Sequence, residues 1–327
     1  MKKTIRIILC LTVLCAGFSS CAKETLVQTE EEQMVTIKLA APTSRAALLA
    51  LDDKIQFFRV LIYDSRSKTL EYNKTVADIS ATGANPVAIE LLTKTYDFVF
   101  IANEDSDAAL SAALAGLATG SRMSALDDLT VSSDAFAATK NIPMFSRYTN
   151  VKVLGDDKIQ TPDMSGPEEG TWSVEVTRIG VRVDMVLTLT AGQWATFADK
   201  KLYLSNIPDK VHLSGKANDG SYESPARAIT IDEATQVTDG SGGAKVITLK
   251  RIILPESAFS PASTKSNAVV AALKFGALER KAALGLSPTD FTLPRNTYLT
   301  ITGTVSDKID FLITVTPWGT PIYVPAE

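Results

Sequence analysis

Alternation of apolar and polar residues over short segments is the feature that most constrains how this chain can fold. In the segment 35–41 every odd position is apolar, and the even positions carry threonine, lysine and alanine. A period of two over that length predicts a half-buried β-strand, because successive side chains of a strand point to opposite faces of a sheet. The segment Thr171–Thr190 repeats the alternation over a greater length. The pattern predicts a chain built mainly from β-strands.

Further segments with strand character lie along the rest of the chain. Residues 87–104 divide into two strands at a polar turn around Thr93, and a loop from Asn141 leads into another strand. Near the C-terminus, Leu299–Val305 and Ile309–Thr316 are predicted to form a hairpin through the tight turn between them. Other predicted strands lie within 54–64, 201–215, 227–234 and 244–256.

One helix is predicted in the first half, with Asp105 or Ser106 as its N-cap and Thr119–Gly120 as its end. Its apolar face is formed by leucines at helical spacing. These are Leu110, Leu114 and Leu117. The alanine-rich segment 266–285 fits the periods of a strand and of a helix alike, so its structure stays open.

The length of the chain and a change in composition near its middle favour two domains. A stretch rich in glycine, proline and acidic residues, Gly155–Gly170, is the best linker candidate. Segments 91–101 and 293–303 also share a pattern, a polar basic turn followed by Thr-Tyr and an alternating strand. We therefore expect an all-β fold with two tandem β-sandwiches, residues 35–165 and 171–327.

The N-terminal sequence is typical of an export signal that ends at a cysteine. A basic start precedes an apolar run from Ile7 to Phe18, which is too short to cross a bilayer as a helix. Residues 1–20 are therefore interpreted as a signal peptide and residues 21–34 as a polar tether. All three cysteines lie at or before position 21, so Cys21 is interpreted as a lipid anchor. The alternative is a plain secretory signal with a chance cysteine.

The residue inventory argues against an enzyme. His212 is the only histidine and no cysteine follows Cys21, which excludes the usual structural zinc sets and a Cys-His nucleophile pair. No cofactor or metal is predicted, although calcium at one of the acidic turns stays open. The net charge of −4 gives no electrostatic footprint for nucleic acid.

Several segments, in order along the chain, resemble the fimbrillin family, the lipoprotein-derived major fimbrial subunits of Gram-negative anaerobes. They are "KIQFFRVLIYDSRSKTLEYN", "YDFVFIANE", "IPMFSR", "VEVTRIGVRVDM" and a late "VTPW". The resemblance implies two transthyretin-like β-sandwiches and export to the outer membrane as a lipoprotein. It also implies cleavage by an arginine-specific protease after the first strand, and polymerisation into a surface fimbria by donor-strand exchange with copies and related subunits.

On this chain the matching cleavage falls between Arg45 and Ala46. Arg45 is the only arginine between Cys21 and Arg59, and it follows the Pro/Ser stretch "APTS". Cleavage there would remove the anchor, the tether and the strand 35–41 together, and we place the removable first strand at 35–45. A sandwich that loses a strand exposes unpaired backbone groups above an apolar groove, and such an edge can accept a strand from another chain.

The expected replacement is the C-terminal segment 318–327. Its apolar side chains share one face, and two prolines, Pro321 and Pro325, fall on the other parity. The predicted donor-strand residues are Trp318, Ile322, Val324 and Ala326. Two other functions stay open, a subunit that keeps its lipid as a fimbrial anchor or tip, and a surface lipoprotein that binds glycans or nutrients.

Overall fold

The structure is a computed structural model, and it describes residues 33–40, 55–77, 87–259 and 263–318. The predicted signal peptide, nearly all of the tether and the segment around Arg45 lie outside these residues. All described residues belong to one compact unit. No helix within them is both long enough and apolar enough to span a membrane.

The first half of the chain contributes eleven strands to the described structure. They are β1 (Met34–Ala40), β2 (Phe57–Asp64), β3 (Leu70–Ala77), β4 (Val87–Leu92), β5 (Thr95–Ala102), β6 (Thr130–Ser132), β7 (Met144–Leu154), β8 (Lys158–Gln160), β9 (Glu168–Glu169), β10 (Thr171–Ser173) and β11 (Thr177–Arg178). The short helices here are the 3-10 turn η1 (Glu104–Ser106), α1 (Ala108–Ala115), α2 (Met123–Asp127) and the 3-10 turn η2 (Ser133–Phe136).

The second half contributes ten strands. They are β12 (Gly180–Thr190), β13 (Lys200–Ser205), β14 (Lys210–His212), β15 (Arg227–Thr230), β16 (Val237–Asp239), β17 (Ala244–Pro255), β18 (Val270–Phe275), β19 (Leu278–Ala283), β20 (Thr297–Val305) and β21 (Ile309–Pro317). Between them lie α3 (Ala191–Thr196), α4 (Glu233–Gln236) and the 3-10 turn η3 (Ser241–Gly243).

Two sheets face each other in the first half. One has the order β10-β1-β4, and the other has the order β3-β2-β5-β7-β8-β9 with β11 on β7. The turn at Thr93–Lys94 carries the chain from β4 in the first sheet to β5 in the second. A single cluster of buried side chains from both sheets fills the space between them. This arrangement is a β-sandwich.

The second half forms another sandwich. A sheet of order β16-β17-β12-β20-β21 packs on a sheet of order β15-β13-β18-β19 through its own buried cluster. The predicted hairpin near the C-terminus is confirmed as β20 and β21, with Val305 opposite Ile309. The open segment 266–285 contains a hairpin, β18 and β19, whose turn includes Gly276 at φ 59°. Two tandem β-sandwiches, as predicted, make up the fold.

The segment predicted as a linker is part of the first sandwich. Strands β8 and β9 extend the sheet from β7, and β10 pairs with β1. The alternating segment 171–190 is therefore not one long strand, because β10 and β11 belong to the first sandwich and only β12 to the second. Glycine, proline and acidic residues suit tight turns between short strands as well as linkers, and their composition alone cannot separate the two.

The predicted helix begins one to two residues later than expected. Asp107, not Asp105 or Ser106, is the N-cap of α1, and its carboxylate accepts hydrogen bonds from the backbone of Ala109 and Leu110. Asp105 and Ser106 instead form η1. The helix is short, and Leu110 and Leu114 are its buried residues.

A third cluster of buried side chains joins the two sandwiches. It combines Leu61 and Val99 from the first half with Val211 and Ile253 from the second. Strand β6 of the first half pairs with β14 of the second, which places Val131 opposite Val211. The two halves thus share both an apolar contact and backbone hydrogen bonds.

Candidate functional site: the first strand and its groove

Strand β1 occupies the centre of its sheet. It runs antiparallel to β4, from Met34 opposite Leu92 to Leu39 opposite Val87. On its other edge it runs parallel to β10, where Leu39 lies opposite Trp172. The predicted strand is confirmed, and it begins one residue earlier than expected. Removing this strand would open two edges at once, one on β4 and one on β10.

The inward face of β1 is buried in the core of the first sandwich. Val35, Ile37 and Leu39 are 6%, 2% and 0% exposed, which confirms the predicted alternation. On the neighbouring strand β4, the residues that pair with these three and point the same way are also buried. They are Val87, Ile89 and Leu91. Without β1, these side chains would line an apolar groove one strand wide.

An aromatic cluster forms the floor of this groove. Trp172 on β10 makes edge contacts with Phe98 and Phe100, at ring-centroid distances of 5.4 and 5.6 Å. Its ring also lies 5.0 Å from that of Tyr148. The hydroxyl of Tyr148 accepts a hydrogen bond from the backbone N–H of Glu175, which follows β10. The short strand β10 is therefore held in place by contacts other than those to β1.

The two ends of β1 are held differently. Only residues 38–40 pair with β10. Nearer the start of the strand, the carboxylate of Asp157 accepts a hydrogen bond of 3.1 Å from the backbone N–H of Thr36. Gln33 exchanges hydrogen bonds with Thr93, whose hydroxyl accepts at 2.9 Å and whose backbone N–H donates at 2.8 Å. On the edge away from β4, the first residues of β1 are therefore held by the turn at Asp157, whereas its last residues are held by strand β10.

The turn that holds Gln33 is itself fixed by charges. The ammonium of Lys94 lies 3.0 Å from a carboxylate oxygen of Asp64 and 2.5 Å from one of Glu71. The backbone N–H of Ser67 and then the Lys94 ammonium hold the pKa of Asp64 well below its usual range. Burial opposes the charge of Lys94, but its hydrogen bonds to the two carboxylates raise its pKa overall.

Trp318 is buried within its own chain, in contrast to its predicted place in the donor segment. Its side chain is 7% exposed and belongs to the cluster that joins the two sandwiches. Its backbone N–H donates to the carbonyl of Asn296, and its carbonyl accepts from the guanidinium of Arg178. That guanidinium also lies 5.1 Å from the centre of the indole ring. Trp318 therefore belongs to the folded body, and the rest of the predicted donor segment, 319–327, lies outside the described residues.

The other predicted site residues lie outside the described part of the chain. These are Cys21, Arg45, Ala46, Ile322, Val324 and Ala326. Lipidation, cleavage and strand donation by these residues stay predictions. The structure describes the strand that precedes Arg45, and Trp318 at the start of the predicted donor segment.

His212 lies in a strand, and the acidic pair Asp127–Asp128 is engaged in ion pairs. His212 is the last residue of β14, which pairs with β6. Asp127 pairs with Arg147, and Asp128 pairs with Lys216 at 3.2 Å. Among the residues that the structure describes, no group of three or more histidine, cysteine or acidic side chains could hold a metal ion.

Sequence comparison identifies the first sandwich. Residues 34–185 match the family model described as "Major fimbrial subunit protein (FimA)". The resemblance to the fimbrillins is confirmed. The match begins at the first residue of β1 and ends within β12, so it covers the groove and every strand around it. The fimbrillin family consists of structural fimbrial subunits. No curated protein matches the chain.

Solved structures of low sequence identity share the fold over most of the chain. The tip fimbrial protein Mfa3 from Porphyromonas gingivalis, with a C-terminal truncation, has a TM-score of 0.57 at 14% identity and covers 88% of this chain and 100% of its own. A putative cell adhesion protein from Parabacteroides distasonis gives a TM-score of 0.55 at 13% identity, with 88% and 100% covered. A fimbrilin (FimA) from Porphyromonas gingivalis W83 gives 0.51 at 13% identity, with 87% and 97% covered.

Sequence reasoning missed two residues that hold β1. Asp157 lies in one of the acidic turns, and its carboxylate accepts a hydrogen bond from the backbone N–H of Thr36 in the strand. Trp172 lies beside β1, opposite Leu39, and no local sequence pattern indicates that position. The signal for Asp157 is weak, because Asp156 and Asp157 both adopt positive φ in a turn that the sequence does not connect to β1.

Proposed function

We propose that this chain is a structural subunit of a cell-surface fimbria that supports adhesion and assembles by exchange of its first strand. In this proposal the chain is exported as a lipoprotein anchored at Cys21 and reaches the outer membrane. An arginine-specific protease then cuts between Arg45 and Ala46. The cut breaks the covalent link between β1, with its anchor, and the rest of the subunit, and a strand from a neighbouring copy then displaces β1 from the groove.

The observation that carries the proposal is the central position of β1 next to the predicted cleavage site. The strand ends at Ala40, and Arg45 follows five residues later, before the chain re-enters the described structure at Ile55. A cut at Arg45 therefore leaves every other strand of the first sandwich in one continuous chain. A central strand whose covalent link to the rest of the sandwich is lost by one cut can be replaced by a strand from another chain.

The energetics favour replacement over an empty groove. Burial of an aliphatic side chain contributes about 1.5–3 kcal/mol, so the three inward residues of β1 contribute an amount comparable to the total stability of a typical domain, about 5–15 kcal/mol. Loss of β1 would also leave backbone groups of β4 and β10 without partners. A subunit with an empty groove would therefore bind any suitable strand.

The proposed replacement is the segment 319–327 of another copy. Nine residues in extended conformation span about 30 Å, which is enough to match the seven residues of β1. Ile322, Val324 and Ala326 share one parity, as do the three buried residues of β1. Pro321 and Pro325 share the other parity, so the backbone N–H groups they lack fall on one edge of the strand.

Replacement of Arg45 tests the proposal directly. We expect Arg45→Ala to leave an uncut, membrane-bound monomer, whereas Arg66→Ala, a change at an arginine in an exposed turn of the described structure, should be cut and polymerise normally. N-terminal sequencing of wild-type filaments should give a chain that starts at Ala46. Normal filaments from Arg45→Ala, or a wild-type chain that starts before β1, would overturn the proposal.

A terminal subunit is the second candidate, because one of the similar structures is described as a tip fimbrial protein. Such a subunit at the tip or the anchor keeps Cys21 acylated or does not donate its C-terminal segment. Mass spectrometry of the mature protein from fimbriae separates the candidates. An acylated N-terminal peptide that contains Cys21 favours the anchor, and its absence together with Ala46 as first residue favours the polymerising subunit.

A glycan-binding role has less support. All three tryptophans lie in the described residues, and each is at most 7% exposed. The large apolar side chains found exposed in this part of the chain are Met34, Leu286 and Leu312. An aromatic platform for sugar rings is therefore not formed by these tryptophans.

A further inference from the structure

A cavity of about 400 Å³ opens on the second sandwich at its boundary with the first. One wall is β15, another is the part of β17 from Leu249 to Ile253, and η2 with the residues after it closes the third side. The cavity lies away from β1, none of whose residues line it. Its volume falls within the range of about 300–1,000 Å³ that is usual for sites of small organic ligands.

The floor of the cavity is apolar. Phe136 and Ile253 are each 1% exposed and Leu249 is 2% exposed, and all three line the cavity. Ile229 on β15 is only partly buried and adds an accessible apolar wall. A ligand that enters would therefore gain by covering apolar surface, in proportion to the area removed from water.

The charged side chains in the lining are mostly cationic, although the whole chain carries a net charge of −4. The charged side chains that line the cavity are Arg227, Lys250, Arg251 and Asp134. Because Arg227 is already paired with Glu223, Lys250 and Arg251 against Asp134 leave this a local positive site in an acidic protein. Such a site attracts anions, and the low dielectric of the apolar floor strengthens the attraction.

Two of the cations are fixed in the wall and the third is available. Arg227 donates to the carbonyl of Ile253 at 2.9 Å and pairs with Glu223 at 2.5 Å. Arg251 donates to the backbone carbonyls of Ala138 and Lys140. Lys250, between them on the rim, is exposed and has no ion-pair partner among the described residues. Its ammonium can therefore bind an incoming anion without breaking an existing pair.

We propose that this cavity binds a small organic anion with an apolar body. The apolar part lies on Phe136, Leu249 and Ile229, and the carboxylate or sulfonate pairs with Lys250 at the rim. The site is independent of strand exchange, since it shares no residue with the groove of β1.

A pair of fluorescent probes tests the proposal on the purified full-length chain. The anionic probe is 1-anilinonaphthalene-8-sulfonate, and the neutral analogue of similar shape is N-phenyl-1-naphthylamine. We expect saturable binding of the anionic probe that Ala138→Trp abolishes by filling the mouth of the cavity. Thr139→Trp, at the next residue, which does not line the cavity, is the matched control and should bind as the wild type does.

Charge reversal at the rim supplies a second readout that does not depend on the tryptophan. Lys250→Glu should weaken the anionic probe about fivefold to tenfold, as expected for loss and reversal of one exposed ion pair, with little change for the neutral probe. Lys265→Glu, at an exposed lysine away from the cavity, should change neither. Unaltered binding of the anionic probe to Ala138→Trp or Lys250→Glu would overturn the proposal, as would equal weakening by Lys265→Glu.

Discussion

Trp318 is part of the folded body and is not available to act as a donor-strand residue. Its indole packs against Arg178, a residue 140 positions earlier in the chain, and its backbone pairs with Asn296. A tryptophan followed by alternating apolar residues is typical of a donor strand, and the sequence alone assigns it to the segment that follows. The contact with Arg178 places Trp318 in the folded body instead.

Replacement of Trp318 separates these two roles. We expect Trp318→Ala to destabilise the uncut monomer by about 3–5 kcal/mol, as for other large side chains removed from a core. Ile322→Ala, in the proposed donor, should leave the monomer unchanged and weaken assembly only. Urea unfolding of the uncut chain measures the difference. A Trp318→Ala monomer as stable as the wild type would contradict the assignment of Trp318 to the body.

Asp184 provides a pH-dependent contribution to stability at the residue scale. Burial raises its pKa, but hydrogen bonds from the Arg182 guanidinium, the Arg251 backbone and the Tyr298 hydroxyl together lower it below the ordinary value. A carboxylate with a lowered pKa in the folded state stabilises the protein fully above its unfolded pKa of about 3.9. That contribution is lost as the pH falls through the folded value.

We therefore expect Asp184→Asn to lower the free energy of unfolding at pH 7 by about 2 kcal/mol, the range for hydrogen bonds to a charged group. Below pH 4 the variant should lose less stability than the wild type, so the two curves converge. Urea unfolding between pH 2 and pH 7 measures both curves. Parallel curves across that range would show that Asp184 is not the titrating group.

At the scale of elements, β1 is held by more than its covalent link. It pairs with β4 over six residue positions and with β10 over three, and its inward face is buried. A cut at Arg45 breaks none of these contacts. The cut strand, with its tether and lipid, should therefore remain bound until another strand displaces it.

This retention is testable on purified protein. After complete cleavage at Arg45, the N-terminal peptide should co-elute with the body in size-exclusion chromatography. A synthetic peptide of residues 319–327 should speed its release, while the same peptide with Ile322→Asp and Val324→Asp should not. Immediate separation of the N-terminal peptide without any competitor would contradict the retention of β1 by its own contacts.

The sequence predicted the strands better than it predicted their partners. Alternation identified β1, β12 and the hairpin of β20 and β21, because local side-chain periodicity reflects which face is buried. The central position of β1 depends on β10, more than 130 residues later, and no local pattern encodes that pairing. The cap of α1 was misplaced because Asp105, Ser106 and Asp107 are all good N-cap residues. Only the tertiary contact of Asp107 with the backbone of Ser132 favours the last of them.

At the scale of the whole molecule, the two sandwiches share buried apolar contacts and backbone hydrogen bonds. The shared apolar cluster and the pairing of β6 with β14 cross the boundary. Backbone hydrogen bonds from Ser133 to Asp209 and from Leu213 to Leu129 extend this contact.

This construction predicts cooperative unfolding. Calorimetry of the uncut chain should show one transition, because loss of either sandwich exposes the shared cluster. Val211→Asp places an unpaired charge in that cluster and should separate the transition into two. Val186→Asp, at a half-buried position on the outer face of β12, is a control that should leave a single transition. Two transitions in the wild type would contradict the claim that the two sandwiches unfold as one unit.

The central claim is that the groove between β4 and β10 changes its occupant on assembly, from the chain's own first strand to the C-terminal segment of a neighbour. A cryo-electron microscopy structure of the assembled filament tests it most directly. We predict density for residues after Trp318 of the adjacent subunit in the groove, with subunits that begin after Arg45. Residues 34–40 of the same chain in that groove, in a polymerised subunit, would contradict the account.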